Sequence, residues 1–268
     1  MTYGGVILDL DGTVYRGDTL LPGVSDAIDE IRRRGADVCF FSNNPLHDGT
    51  EYVERLGALG VDARPGEACS SVVVTCEYLD SRHAGDRVFV VGSEPLRAHV
   101  RATSVDVVSD PAAADVLLAS WTDSFHYRDL VASLRAVDEN TAFLGTDPDR
   151  TFPDEAGRAT PGSGAIINAI AGVVDRDPDA ILGKPSQVAV DAALDRVGCP
   201  PEECLVVGDR LDTDIAMGER TGMTTALVTT GVTDEAELAR SDVRPDYVLD
   251  SLADVGRLFE EPPEGKRI

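Results

Sequence analysis

Short apolar runs alternate with longer amphipathic segments along almost all of the chain. The runs have the length and β-branched content of buried strands, whereas the segments repeat apolar residues at helical spacing. The predicted strands are Gly5–Leu10, Asp37–Ser42, Arg87–Val91, Val105–Val108, Val116–Ser120, Ala142–Gly145, Ile181–Leu182, Cys204–Gly208, Thr225–Thr229 and Tyr247–Leu249. The predicted helices are Val24–Arg34, Gly49–Leu59, Ser70–Arg82, Glu94–Ala102, Tyr127–Val137, Gly164–Val174, Val188–Val197 and Ile215–Thr221. Strands that alternate with helices predict an α/β fold of parallel sheets covered on both faces.

Polar residues stand directly after several of these apolar runs. Asp9, Ser42, Lys184 and Asp209 each follow a predicted strand, although they lie far apart in the sequence. In parallel sheets flanked by helices, ligands bind beyond the carboxyl ends of the strands. These side chains are therefore the first candidates for a functional site.

The segment Asp9–Thr13 (DLDGT) offers two carboxylates, two residues apart, at the end of the first strand. A carboxylate can attack phosphorus and form an acyl phosphate, which divides one difficult displacement into two easier ones. A second carboxylate, Asp11, could protonate the leaving oxygen and then activate a water. Because residues i and i+2 of an extended segment share a side, both can face one site. Gly12 lets the backbone turn sharply. The competing interpretation is a solvated acidic turn.

Two further strand ends carry groups that suit a phosphate. Ser42, Asn43 and Asn44 offer a hydroxyl and backbone N–H groups that can cradle phosphate oxygens, although they are also common capping residues in turns. Lys184, in the segment Gly183–Ser186 (GKPS), offers an ammonium that could neutralise an attacking carboxylate and the transferred phosphoryl group. A surface lysine in a turn is the alternative for that segment.

The segment Gly208–Asp214 (GDRLDTD) is rich in carboxylates and follows the strand CLVVG. Magnesium prefers oxygen ligands, usually one or two carboxylates together with water and phosphate. Asp209 at the strand end is the natural direct ligand, and Asp214 could reach the metal through water or hold Lys184 in place. Asp212 suits a helix start, where a carboxylate is stabilised for structural reasons.

Charge narrows the range of partners. The formal net charge is −24 and the pI is about 4.3, which excludes nucleic-acid binding through a general basic face and disfavours an anionic membrane surface. The acidic residues are scattered along the chain, and lysine occurs only at positions 184 and 266. Because salt of about 1 M screens charges beyond about 3 Å, this composition predicts a salt-adapted, halophilic protein.

The cysteines and the apolar runs suggest a cytoplasmic protein. The five cysteines are odd in number and include no CxxC pair, which is typical of buried thiols in a reducing compartment. The first residues lack a basic segment, so we expect no signal peptide. No apolar run approaches the roughly 18 residues that a membrane span needs.

In combination, four motifs resemble those of haloacid dehalogenase (HAD) superfamily phosphatases. The resemblance is to subclass IIA, the 4-nitrophenyl phosphatase and nucleotide- or sugar-phosphatase-like (NagD-like) enzymes, and it extends from Gly5 to about Leu252. The motifs are DLDGTVYRG (Asp9–Gly17), SNN (Ser42–Asn44), LGKPS (Leu182–Ser186) and VGDRLDTDI (Val207–Ile215).

The resemblance implies roles in phosphoryl transfer for five of these residues. Asp9 would be the nucleophile and Asp11 the general acid and base. Ser42 and Asn43 would bind the phosphoryl group, and Lys184 would stabilise its charge. The substrate would be a small phosphorylated metabolite: a sugar phosphate, a phosphoglycolate- or glycerol phosphate-like compound, or a nucleotide.

The resemblance also implies Mg²⁺ as the cofactor. Asp9 and Asp209 would bind the metal through their carboxylates, and Asp11 would bind it through its backbone carbonyl. Asp214 would belong to the outer shell of the same metal site.

The implied fold is a doubly wound, Rossmann-like parallel-sheet core with an inserted αβ cap of the C2 type. The core would comprise residues 1–79 and 180–268, and the cap residues 80–179. Because cap surfaces in this family often mediate dimers, we expect a homodimer or a higher homo-oligomer.

The expected cap departs from the family pattern in two segments. Family members often carry Thr-Asn-Pro-Asp, where this chain has Thr146–Asp149 (TDPD). The segment Trp121–Tyr127 follows a predicted strand and would face the substrate. The candidate substrate contacts from the cap are Asp123, Phe125, Tyr127 and Asp147. Trp121 and His126 are individual to this chain, and Trp121 also suits the apolar core of the cap.

Four other functions are weighed against this pattern of motifs. A receiver-type signalling module also uses a phosphorylated aspartate, but receivers are small and lack a cap. A dehalogenase needs no acid for a halide leaving group, so Asp11 disfavours it. A phosphomutase stays open as an alternative. A dinucleotide-binding protein is disfavoured because no GxGxxG follows the first strand.

Overall fold

The structure, a computed structural model, describes residues 3–154 and 157–260. The strands are β1 (Gly5–Leu8), β2 (Tyr15–Arg16), β3 (Thr19–Leu20), β4 (Asp37–Ser42), β5 (Ala68–Ser70), β6 (Arg87–Val91), β7 (Asp106–Val107), β8 (Val116–Ala119), β9 (Ala142–Gly145), β10 (Thr151–Pro153), β11 (Ala159–Pro161), β12 (Ala180–Ile181), β13 (Cys204–Gly208), β14 (Thr224–Val228) and β15 (Tyr247–Leu249). The α-helices are α1 (Val24–Arg33), α2 (Gly49–Ala58), α3 (Ser71–Arg82), α4 (Glu94–Arg101), α5 (Tyr127–Ala136), α6 (Ser163–Val174), α7 (Gln187–Val197), α8 (Ala216–Thr221) and α9 (Glu235–Arg240). Shorter helical turns are Pro111–Ala113, Pro201–Glu203, Leu211–Ile215 and Leu252–Leu258.

The described residues form two compact units. The first unit comprises residues 3–42, 49–69 and 189–260, and the second comprises 43–48, 70–154 and 157–188. Each unit has a parallel sheet of its own, so the predicted α/β fold with a Rossmann-like core and a further αβ part is confirmed.

The first unit is built on a six-stranded sheet with the order β15-β14-β13-β1-β4-β5. β1 lies between β13 and β4 and pairs with both in parallel. From β1 the sheet extends through β4 to β5, and from β13 it extends the other way through β14 to β15. The direction of winding therefore reverses between β1 and β13, and such a switch point is where this class of sheet binds ligands.

Apolar periodicity explains how the helices of the first unit cover this sheet. In α1, the buried residues Val24, Ala27, Ile28 and Ile31 recur at spacings of three and four, so one face of the helix is apolar. They belong to a core cluster that also contains residues of β1, β4 and β13. The helix ends before Gly35, whose φ of 86° is the left-handed conformation that glycine adopts readily.

The second unit repeats the same type of sheet with five strands in the order β12-β9-β8-β6-β7. The four strand pairs are parallel. From β6 the sheet extends to β7, and from β8 it extends the other way to β9 and β12. The second unit thus has a switch point of its own, between β6 and β8.

Side-chain caps begin two helices of the second unit. Ser70 accepts a hydrogen bond from the backbone N–H of Val73 at 3.3 Å and so caps α3. Ser93 accepts one from the N–H of Leu96 at 3.4 Å and caps α4, whose second residue is Pro95.

The sequence predicted the long elements to within a few residues but missed five short strands and the six-residue helix α9. The strands β2, β3, β5, β10 and β11 are two or three residues long, too short to show an alternating pattern. The first strand ends at Leu8, two residues before the predicted end. The predicted helix Ile215–Thr221 is instead a π-helical turn, Leu211–Ile215, followed by α8.

Domain boundaries at 79/80 and 179/180 stay a prediction. By its contacts, α3 groups with the second unit, because Val72 and Leu79 are buried in a cluster with residues of β6 and β8.

Among the described residues, no helix combines the length and the apolar composition that a membrane crossing requires.

Candidate active site

Asp9 and Asp209 lie at the carboxyl ends of two neighbouring strands. β1 and β13 run in parallel with Leu8 opposite Val207, and the Asp9 N–H donates a hydrogen bond to the Val207 carbonyl at 2.9 Å. Their side chains therefore emerge at the same edge of the sheet, at the switch point of the first unit.

Asp214 joins them from the π-helical turn Leu211–Ile215, an irregularity that is frequent at functional sites. One carboxylate oxygen from each of Asp9, Asp209 and Asp214 lies within 4.8 Å of the other two. The backbone N–H of Arg210 donates to Asp214 Oδ2 at 3.2 Å and orients it. Asp209 and Asp214 are each only 1% exposed. Buried carboxylates this close repel one another, so the cluster is suited to a bound cation.

The backbone packs directly against two of these carboxylates. The Val232 N–H donates a hydrogen bond to Asp209 Oδ2 at 2.6 Å. A Cβ atom added at Gly231 would lie 1.8 Å from the same oxygen, and one added at Gly208 would lie 2.3 Å from the Asp214 carboxylate carbon. Only glycine fits at these two positions.

The donor set fits a hard divalent cation. Three carboxylates at one strand edge provide the oxygen ligands that Mg²⁺ prefers, and one or two of them commonly bind the ion while water and phosphate complete its coordination. The structure therefore brings together the predicted carboxylate ligands Asp9 and Asp209 with Asp214, the predicted outer-shell residue. Metal contact through the Asp11 carbonyl stays a prediction.

Asp11 lies in a turn rather than in an extended strand. The Leu10 carbonyl accepts hydrogen bonds from the N–H groups of Val14 at 2.8 Å and Tyr15 at 3.2 Å. Asp9 and Asp11 are therefore not i and i+2 positions of one strand, as the sequence predicted, because the strand ends at Leu8 and the chain turns at Leu10. The turn still places Asp11 beside Tyr15, with which it forms an isolated β-bridge.

The surroundings of Asp11 suit a proton donor. Burial raises the pKa of its carboxyl above the ordinary value, while the positive charges of Arg55 and Arg16 lower it. Burial also raises the pKa of the Tyr15 phenol, and the charges of Asp11 and Asp9 raise it further. Both carboxylates thus act on the same phenol and lie in one region of the first unit. Arg55 lies in α2, outside the predicted motifs, and Arg16 lies within the motif Asp9–Gly17 but received no role from the sequence.

Ser42 ends β4, the other neighbour of β1. Its side chain is buried, and Ser42 Oγ accepts a hydrogen bond from the Tyr52 hydroxyl at 3.1 Å. Since β1 and β4 pair in parallel with Leu8 opposite Phe40, Ser42 lies at the same edge of the sheet as Asp9. Its phosphate-binding role stays a prediction.

In the second unit, the side chain of Asn43 is hydrogen-bonded to the backbone of Lys184 at both ends of its amide. Asn43 Oδ1 accepts from the Lys184 N–H at 2.8 Å, and Asn43 Nδ2 donates to the Lys184 carbonyl at 3.0 Å. Nδ2 also donates to Asp149 Oδ1 at 3.3 Å. Because the side-chain amide of Asn43 is already hydrogen-bonded at both its oxygen and its nitrogen, any contact of Asn43 with a phosphoryl group would come from its backbone N–H. Lys184 is only 2% exposed.

Asp147 is buried, and it occupies the position at which family members often have asparagine. Its Oδ2 accepts a hydrogen bond from Thr146 Oγ1 at 2.9 Å, and its Oδ1 accepts from the Asp149 N–H at 3.2 Å. Burial, together with the charge of Asp149, raises the pKa of Asp147 to about 8. This rise favours the protonated form of Asp147, which carries a donor as an amide does.

The other cap candidates have different surroundings. Tyr127 is 81% exposed at the start of α5, whereas Phe125 packs against a buried apolar cluster of the second unit. Asp123 and Trp121 line a crevice of that unit. His126 precedes α5, and its N–H donates to Asp129 Oδ2 at 2.7 Å, which is a helix-start contact. Substrate contact stays a prediction for Asp123, Phe125, Tyr127 and Asp147.

Two family models match the chain. The model of haloacid dehalogenase-like hydrolases matches residues 6–106, and the HAD-hydrolase-like model matches residues 181–255. Sugar-phosphatase AraL of Bacillus subtilis (strain 168) is 35% identical over 96% of this chain and 93% of its own length. Glycerol-3-phosphate phosphatase of Homo sapiens is 32% identical over 93% of this chain and 89% of its own length.

Solved structures agree with these matches. The p-nitrophenyl phosphatase from Archaeoglobus fulgidus superposes with a TM-score of 0.89 at 31% identity, covering 96% of this chain and all of the other. NagD from the E. coli K-12 strain superposes with a TM-score of 0.83 at 27% identity, covering 95% of this chain and 98% of the other.

Proposed function

The chain belongs to the family of haloacid dehalogenase-like hydrolases and is a phosphoric monoester hydrolase, and we propose that it acts on small phosphorylated metabolites with Mg²⁺ through an aspartyl-phosphate on Asp9. The observation that carries the proposal is the cluster of Asp9, Asp209 and Asp214, with Asp11 in the adjoining turn. Sugar phosphates, phosphoglycolate- or glycerol phosphate-like esters and nucleotides are the candidate substrates. Several relatives are named sugar phosphatases or glycerol-3-phosphate phosphatases.

In the first step, a carboxylate oxygen of Asp9 attacks the phosphorus of the ester. The new bond joins phosphorus to Asp9 Oδ, and the bond to the ester oxygen breaks. Asp11 donates its proton to that oxygen, so the leaving group departs as an alcohol rather than as an alkoxide. Because partial removal of its carboxyl from water raises the pKa of Asp11, this carboxyl holds the proton better than a fully hydrated aspartate would.

In the second step, water attacks the phosphorus of the acyl phosphate. Asp11, now a carboxylate, accepts a proton from that water, and the bond from phosphorus to Asp9 breaks. Inorganic phosphate leaves, Asp9 is again a carboxylate, and Asp11 is again protonated.

A metal ion at the carboxylate cluster would neutralise charge on the attacking carboxylate and the phosphoryl oxygens. Asp9, Asp209 and Asp214 would hold it, and Val232 together with the Arg210 N–H would keep Asp209 and Asp214 in place. Ser42, Asn43 and Lys184 are the predicted contacts of the phosphoryl oxygens.

Phosphate release from 4-nitrophenyl phosphate and from a panel of metabolite phosphates tests the proposal. The assay compares the parent with Asp9→Asn, in Mg²⁺ and in excess chelator. We expect release by the parent in Mg²⁺ and none by the variant. Rapid acid quenching followed by mass spectrometry should find one phosphoryl group on the parent chain. Unchanged release by Asp9→Asn would contradict the mechanism, and phosphate transfer to a second hydroxyl without release would indicate a phosphomutase.

A further inference from the structure

Two cysteine side chains meet at the start of β13, in the first unit. Cys199 Sγ and Cys204 Sγ lie 3.2 Å apart, and Cys204 is the first residue of the strand. No bond joins the two sulfurs, so both cysteines are free thiols. A disulfide needs its sulfurs about 2.05 Å apart, so the two atoms have to approach each other by roughly 1 Å. Small rotations of the side chains are enough for such a movement.

The chain between the two cysteines is short and stiff. Its four residues are Pro200, Pro201, Glu202 and Glu203, and the last three form a helical turn. The Glu203 N–H donates a hydrogen bond to the Pro200 carbonyl at 3.0 Å, and the Cys204 N–H donates one to the Pro201 carbonyl. The proline rings also fix φ at two positions. The loop therefore holds its ends together before any bond forms between the sulfurs.

Neighbouring glycines leave the space that the Cys199 side chain occupies. Gly5 lies opposite Cys204 in the pairing of β1 with β13. A Cβ atom added at Gly5 would lie 2.9 Å from Cys199 Sγ, and one added at Gly4 would lie 3.1 Å from Cys199 Cβ. The Gly4 N–H also donates to the Glu203 carbonyl at 2.9 Å, which ties the loop to the same backbone. This packing keeps the Cys199 sulfur beside that of Cys204.

The two thiols differ in their access to solvent. Cys199 is half-buried, whereas Cys204 is buried. Burial raises the pKa of the Cys204 thiol, and the Cys199 thiol and the charges of Glu203 and Glu202 raise it further. Cys204 therefore keeps its proton at neutral pH and is a poor first nucleophile. A dissolved oxidant meets Cys199 first, and Cys204 is the neighbour that can complete a disulfide.

We propose that Cys199 and Cys204 form a redox-active dithiol, which hydroperoxides oxidise to a disulfide that joins the segment after α7 to the start of β13. The pair lies at the amino end of β13, whereas Asp209 follows the carboxyl end of the same strand. The inference is therefore independent of the proposed phosphatase function.

The oxidation takes place in two steps. The sulfur of Cys199 attacks the terminal oxygen of a hydroperoxide ROOH, the O–O bond breaks, and Cys199 becomes a sulfenic acid while ROH leaves. The sulfur of Cys204 then attacks the Cys199 sulfur, the S–O bond breaks, and hydroxide leaves with the Cys204 proton as water. Two thiols and one hydroperoxide thus give one disulfide, ROH and water. Because Cys204 holds its proton, we expect the second step to be the slower one.

Treatment of the folded chain with hydrogen peroxide, followed by alkylation, tryptic digestion and mass spectrometry, tests the proposal. Cleavage after Arg196 and Arg210 releases one peptide that contains both cysteines. We expect this peptide to escape alkylation and to weigh about 2 Da less than the dithiol form, and dithiothreitol to restore both thiols. In Cys204→Ala, Cys199 should stop at the sulfenic acid, which dimedone traps.

The Tm gives a second readout. The disulfide closes a loop of six residues and restricts the unfolded chain, so the peroxide-treated parent should unfold about 2–8 °C above the reduced parent. Cys199→Ser, a small change at the half-buried position, should show no such rise. This variant also replaces Cys204→Ala in the test if the buried substitution prevents folding.

Cys76→Ala is the matched control. Cys76 is half-buried like Cys199, but it lies in α3 of the second unit. Its replacement should leave both the disulfide and the rise in Tm unchanged.

Three results would overturn the proposal. One is a peroxide-treated parent whose Cys199 and Cys204 are both still alkylated. Another is a sulfenic or sulfinic acid that accumulates on Cys199 of the parent without a bond to Cys204. The third is a change in Tm on peroxide treatment that is equal in the parent and in Cys199→Ser.

Discussion

In the first unit, three carboxylates cluster beyond the carboxyl ends of β1 and β13, whereas in the second unit a crevice beyond β6 and β8 is lined by two arginines and three carboxylates. Both groups of charged side chains lie at the switch point of a parallel sheet. The backbone architecture thus supplies the same kind of location twice, and the side chains that follow the strands give each location its own chemistry.

The two groups of side chains also differ in how far they are buried. Asp209 and Asp214 are buried, held by backbone N–H groups, and packed against glycines that admit no side chain. Arg97 is half-buried and Arg128 is exposed. A reaction centre needs atoms that are held in place, and the buried carboxylates of the first unit meet that need.

The largest expected effect lies in the first unit, in Asp11→Asn. The amide cannot supply or accept the proton, so kcat for 4-nitrophenyl phosphate should fall by about 10²- to 10⁴-fold. The Mg²⁺ concentration for half-maximal activity should stay the same, because the backbone carbonyl is kept. A kcat within a few-fold of the parent would show that Asp11 is not the acid.

A smaller effect, on the carboxylate cluster of the first unit, is expected from Gly231→Ala. Its Cβ would lie 1.8 Å from Asp209 Oδ2, so the carboxylate must move away from its place in the cluster. The Mg²⁺ concentration for half-maximal activity should rise by about 10- to 100-fold, as for other changes behind a metal ligand.

Gly57→Ala is the matched control for that substitution. Gly57 lies in α2, and an added Cβ there meets no atom within 4 Å. Its Mg²⁺ dependence should equal that of the parent. If Gly231→Ala also keeps the Mg²⁺ requirement of the parent, the glycine does not position Asp209.

In the second unit, Asp147→Asn should change how stability depends on pH. The folded-state pKa of Asp147 is raised to about 8, above an unfolded value near 3.9, so the folded chain binds the proton more tightly. Its contribution to stability is fully present below about pH 4 and is lost as the pH rises through about 8. Asparagine has no such dependence, so the variant should gain stability relative to the parent as the pH rises.

Thermal unfolding at about pH 5 and about pH 8 measures this change. The difference in Tm, variant minus parent, should increase by roughly 2–4 °C or more, which corresponds to about 1 kcal/mol in a chain of similar size. Asp123→Asn, at an exposed position, should show no such increase. A Tm difference that is independent of pH would mean that Asp147 is ionised in the folded chain.

The smallest expected effect is shared by both units and comes from the net charge of −24. If the chain is salt-adapted, its Tm should rise gradually between about 0.1 M and about 3 M KCl, because salt screens the repulsion among its carboxylates. A native circular-dichroism spectrum and full activity in salt-free buffer would contradict salt adaptation.

The sequence by itself determined the fold class, the long elements and the strand-end residues of the first unit. Runs such as GVIL and CLVVG are readable because a buried strand needs consecutive apolar residues. A polar residue directly after such a run, like Asp9 or Asp209, is therefore recognisable at once. Membership of the phosphatase family followed from the order of these motifs, and the relatives confirm it.

Only the tertiary structure decided which distant residues support those carboxylates and where the crevice of the second unit lies. Gly231 and Val232 contact Asp209, which lies 22 and 23 residues before them in the sequence. No local sequence pattern indicates these contacts. Arg97 and Arg128 belong to different helices and meet in one crevice only because β6 and β8 are neighbours in the sheet. Local periodicity reports which face of an element is buried, whereas the pairing of elements depends on long-range packing that a single sequence does not display.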